Sequence, residues 1–114
     1  MAQKIPDPLS RRHLLEGGVD AAKASALAEA YLAAGREIEA VDFLALAGAR
    51  DGLVALQQQA IERGDVFLLR AANRGLSEEG SSDQWKALRE SALRRGRELD
   101  AETAKRLATV EGPG

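Results

Sequence analysis

In the stretch AYLAAGREIEA, residues 30–40, an alanine-rich helical run halts at Gly35 and another begins almost at once. A connection that short joins two helices only as an antiparallel hairpin. The glycine is placed where a helix C-terminus calls for a left-handed residue, a conformation only glycine adopts without strain. The same interruption returns at Gly64 and Gly96, spacings of 29 and 32 residues. A chain punctuated in this way predicts stacked helix pairs.

Reading outward from those glycines gives the element order. Residues 1–19 hold a tail and a short helix from about Pro8 to Glu16, capped by Asp7 and stopped at Gly17 and Gly18. Asp20 caps a run to Ala34 with Ala24, Leu27, Tyr31 and Ala34 at helical spacing. The next run opens with acids, ends at Gly48 and places Ile38, Val41, Leu44 and either Ala45 or Leu46 toward a neighbour. From Asp51 to Arg63, Leu53, Leu56, Ala60 and Ile61 share one side. Asp65 then caps VFLLRAANR, which Gly75 stops. The loop LSEEGSSD, residues 76–83, precedes a helix capped by Ser82 or Asp83 and running to Gly96; a last helix starts at Glu98 or Asp100 and fades near Val110. No run alternates in the manner of a strand, so the predicted fold class is all-α: a right-handed α-α superhelix or a compact bundle of about six to seven short antiparallel helices. The domain is assigned to residues 20–110, with hairpins at about 20–48, 50–75 and 82–110 and a tail at 111–114.

Aligned on the glycines, the units share more than punctuation. Leu27 and Tyr31 precede Gly35 by eight and four residues and Ala40 follows by five; Trp85, Leu88 and Ala92 precede Gly96 and Ala101 follows by five. Unit two keeps Leu56, Ala60 and Gly64 but has Leu69 in place of the alanine. This pattern resembles the tetratricopeptide repeat, with Ala47 and Ala108 at the family's later small positions. It departs from that family in its unit lengths, in Arg89 and Lys105 at positions where the family has small and aromatic residues, and in lacking a repeat-ending proline. A HEAT- or armadillo-like helix-pair array, or an irregular bundle, is the alternative.

The resemblance implies a groove lined by the first helices of successive pairs. It places Ser25, Glu29, Leu32 and Ala33 there from unit one, Val54, Gln58, Ile61 and Glu62 from unit two, and Lys86, Glu90, Leu93 and Arg94 from unit three. Leu32, Ile61 and Leu93 occupy one equivalent position and would form an apolar row able to anchor a peptide. The family's carboxylate clamp uses Lys and Asn at places held here by Ser25, Glu29, Val54, Gln58, Lys86 and Glu90, so a clamp is not expected. Core packing of the row is the plainer alternative.

Composition narrows the function further. Of 114 residues, 45% are hydrophobic but only 4% aromatic, so the core must be built from Ala, Leu, Ile and Val. With 30% charged residues and a net charge of −2, no global field recruits nucleic acid or an anionic membrane. The absence of cysteine removes disulfides, thiolate metal sites and thiol nucleophiles. The sequence reads as a cytoplasmic protein without a membrane segment.

Residues able to carry chemistry are few. His13 is the sole histidine, and beside Arg11 and Arg12 it reads as a surface or groove residue. Glu37 with Glu39, and Glu78 with Glu79, lack the unlike environments that paired acid and base work requires and read as solvated. The Arg89–Arg97 edge, interleaved with Glu90, reads as a salt-bridged surface with at most a weak nucleic-acid contact. Trp85 reads as core. No cofactor and no metal are expected, and no enzyme. The expectation is a scaffold or adaptor that binds a protein or peptide, with Glu29, Leu32, Gln58, Ile61, Lys86, Glu90, Leu93 and Arg94 as its contact set; a self-associating bundle, forming a homodimer, is the alternative.

Overall fold

The computed structural model describes residues 5–111, and the expectations for the extreme tails fall outside them. Seven helices follow in order: α1 Pro8–Gly17, α2 Ala21–Ala33, α3 Glu37–Leu46, α4 Arg50–Arg63, α5 Val66–Gly75, α6 Ser82–Arg94 and α7 Glu98–Glu111. No strand occurs among the described residues, and the chain is all-α.

Local chemistry starts most of these helices. Asp7, Asp20 and Asp65 each accept a backbone N–H from the first turn, at 2.8, 2.8 and 3.1 Å. The cap of α6 is Ser81, one residue before the position expected: its hydroxyl accepts from Gln84 N while the Gln84 side chain accepts from Ser81 N. That reciprocal pair explains the shift, since only Ser81 has a glutamine three residues on.

The turns repeat one device. Arg36 N donates to Tyr31 O, Asp65 N to Ala60 O and Arg97 N to Ala92 O, each closing a six-residue loop around a left-handed glycine. Gly64 is doubly constrained: its φ is +70°, and a Cβ there would lie 2.5 Å from Ala92 Cα, so it also sets the approach of α4 to α6. Beyond α5 the device recurs with a difference. Gly75 is still helical and is packed against Leu53 and Val41, while Ser77 takes the left-handed position at φ 57°.

The helices pair as α2/α3, α4/α5 and α6/α7, and the pairs then stack by two unlike seams. The first hairpin joins the second through α3, which packs on α5 and α4. The third joins through α6, which packs on α4. Along α3 the structure corrects the expected apolar face. Ala40, Val41, Phe43 and Leu44 point inward, whereas Ile38 and Leu46 are 44% and 43% exposed. The cause is the stacking of Phe43 on Tyr31, with ring centroids 5.6 Å apart, which sets the roll of α3. Arg11 of α1 lies over both rings and donates to Asp42 Oδ2 and to the Glu39 carbonyl, both at 2.9 Å, clasping α1 to α3.

Trp85, Leu88, Leu27, Tyr31, Leu68 and Leu69 are among the deepest residues. Gln57, Asn73 and Ser91 are the polar residues buried among those described, and Gln57 donates to Asn73 Oδ1 at 2.6 Å. No helix among the described residues is long and apolar enough to cross a membrane.

Candidate interaction surface

The three turns present apolar side chains in register. Three residues before each turn glycine stand Leu32, Ile61 and Leu93; the first and third are 36% and 50% exposed, and Ile61 is half-buried against the core. Three residues after each glycine stand Ile38, Phe67 and Leu99, all exposed, Phe67 at 69% and Leu99 at 85%. Each of these is the second residue of its helix. The same glycine alignment that singled out the preceding row contained this following row. The sequence does not single it out, because Ile38 has the spacing of a core residue and isolated apolar residues at helix starts carry no periodicity of their own.

Ion pairs stitch this edge. Arg63 Nη1 lies 2.6 Å from Glu37 Oε1, joining the end of α4 to the start of α3, and Arg97 pairs with Asp100 at 2.6 Å and reaches Asp65 at 4.0 Å. Hydrogen bonds from Arg36 to Glu39 hold that carboxyl below its ordinary value, and the same pairing raises the Arg36 pKa. The bond that Arg63 donates to Glu37 likewise raises the Arg63 pKa. Glu37 and Glu39 are therefore paired and half-buried, unlike the solvated acids expected there.

The remaining members of the expected contact set are placed as follows. Gln58 and Ile61 on α4 lie on a helix that packs against α6, which carries Lys86, Glu90, Leu93 and Arg94. Glu29 and Leu32 lie on α2, whose substantial packing is with α3; it has no comparable contact with α4. The first helices thus adjoin between units two and three, while units one and two meet through α3. Glu29, Gln58, Lys86, Glu90 and Arg94 are exposed, and Arg94 donates to Ser91 Oγ at 3.1 Å. Along the arginine-rich edge, Arg95 Nε donates to the Glu62 carbonyl at 2.8 Å.

His13 is exposed, and among the described residues no group of three or more His, Cys, Asp or Glu side chains is arranged to hold a metal ion. No protein-family model, curated protein or solved structure matches the chain.

Proposed function

We propose that the protein is a non-catalytic interaction module, a short tetratricopeptide-like array of three hairpins that receives a peptide or partner protein on its turn edge. Burial of Leu27, Tyr31, Ala40, Trp85, Leu88, Ala92 and Ala101, the positions that carry the resemblance, supports the repeat reading. The observation that carries the function is the in-register exposure of Ile38, Phe67 and Leu99. Single exposed apolar residues are ordinary on soluble proteins, but one per repeat at the same position makes an edge. Large side chains of this kind supply anchors for a partner.

The test is a variant carrying Ile38→Ser, Phe67→Ser and Leu99→Ser, with helicity verified by circular dichroism, compared with wild type in affinity capture read by mass spectrometry. Specific partners retained by wild type and lost by the variant are the expected result. Identical capture by both sinks the reading, and wild-type dimerisation abolished by the three serines, seen by light scattering, replaces it with self-association.

A further inference from the structure

Helix α5 shows solvent a single stripe. Of its residues, only Phe67, Arg70 and Arg74 are exposed; Val66, Leu68, Leu69, Ala71, Ala72 and Asn73 are buried. The spacings of three and four residues keep the stripe on one side, with Arg70 about 4.5 Å and Arg74 about 10 Å along the axis from Phe67.

Arg11, Arg12, Arg36, Arg50, Arg63 and Arg97 each pair with a carboxylate. Among the described residues nine arginines have an ion pair or a hydrogen bond, and Arg70 and Arg74, like Arg89, have neither. Acids are near them: Glu78 and Glu79 line the same cleft of about 420 Å³, which is walled by Trp85 and Gly80. Glu78, however, is engaged by Arg50 at 2.7 Å and by Gln57 at 3.3 Å, leaving Glu79 against two guanidinium groups. Arg74 also borders a second cleft of about 470 Å³ with Leu15, Ala45, Leu46 and Asp42, whose carboxylate is engaged by Arg11 at 2.9 Å.

We infer that this stripe receives an acidic amphipathic peptide segment of a partner protein, its apolar residue against Phe67 and its carboxylates on Arg70 and Arg74. The inference rests on the interaction-module reading, because Phe67 belongs to both. Guanidinium groups match carboxylates with paired N–H donors, and two of them a helical turn apart match acids at the same spacing. An apolar anchor followed by charge is how a helical or extended peptide is read by a helix face. A nucleic-acid strand fits less well: the stripe has one aromatic ring, apolar Leu15 and Leu46 flank it, and the chain is net negative.

The experiment is selection of a random-peptide display library on the intact protein, followed by titration of one synthetic consensus peptide. Binding is read from the fluorescence anisotropy of a dye-labelled peptide. Selected peptides should share a large apolar residue with Asp or Glu one and two helical turns away. Arg70→Gln with Arg74→Gln, or Glu→Gln in the peptide, should weaken binding at least about tenfold. Both arginines are exposed, so the variants should melt with wild type; either single variant serves should the double one not fold. A consensus without acids, affinity unchanged in the arginine variants, or displacement of the peptide by a single-stranded DNA oligomer overturns the inference. An acid-free consensus that still requires Phe67 leaves the interaction module standing, whereas no selected peptide, or binders indifferent to Phe67 and both arginines, removes both.

Discussion

Gln57 Nε2 donates to Asn73 Oδ1 at 2.6 Å, binding α4 to α5 through two side chains that are 7% and 4% exposed. Gln57 also reaches Glu78, and Asn73 reaches Gln84 of the α6 cap at 3.4 Å, so one buried amide pair gathers three elements. Removing one partner strands the other: Gln57→Ala is expected to lower stability by about 1–3 kcal/mol. A urea-melt double-mutant cycle with Asn73→Ala should show coupling of at least about 0.5 kcal/mol. Strict additivity would mean that the two amides do not support one another.

Two turn glycines should respond differently to alanine. Gly35 has φ +76° with nothing within 4 Å of an added Cβ, so Gly35→Ala should cost about 1–2 kcal/mol of backbone strain alone. Gly64 adds the approach to Ala92, and Gly64→Ala should cost a further 1–3 kcal/mol or so by forcing α4 from α6. Equal midpoints for the two variants in denaturant would contradict the close approach.

Ser77 holds the left-handed position that glycine holds at the other turns of this type. Ser77→Gly relieves its strain while loosening the unfolded chain, a net gain of roughly 0.5–1 kcal/mol. Thermal unfolding should show a higher midpoint; a lower one would mean that the serine side chain contributes more than its backbone costs.

Glu39 supplies a pH dependence whose sign follows from its pairing with Arg36. Its carboxyl is held below the ordinary value by the Arg36 hydrogen bonds, so the folded state releases this proton more readily than the unfolded state. The resulting stability is present above the unfolded pKa and is lost as pH falls through the folded one. Arg36→Gln should therefore raise the Glu39 titration midpoint seen by carboxyl NMR. It should also lower the urea midpoint more near pH 7 than at the most acidic points, where only the contact of Arg36 with the Tyr31 ring, 5.2 Å from its centroid, is lost. A midpoint that ignores the substitution would detach Arg36 from the effect.

The helices were legible because their signals are local. Asp7, Asp20 and Asp65 announce starts, and Gly35, Gly64 and Gly96 announce ends, each within a turn of the residue concerned. What escaped the sequence depends on distant partners. Gln57 lies in an apparently polar QQQ run and is buried only because Asn73, sixteen residues on, answers its amide. Ile38 has the spacing of a core residue and is exposed because the Tyr31–Phe43 stack turns α3 the other way. The stripe on α5 was hidden for a related reason: Phe67 looks like core, and only the burial of its six neighbours isolates it with Arg70 and Arg74.

The unlike seams between hairpins also set how the molecule comes apart. With the first hairpin attached through α3 and the third through α6 on α4, loosening either seam leaves the other whole. Opening should therefore proceed in separate blocks from the two ends inward. Amide protons of α2 and α7, each packed chiefly on its own hairpin partner, should be released to solvent before those of α4 and α5, with the middle hairpin the last to lose its protection.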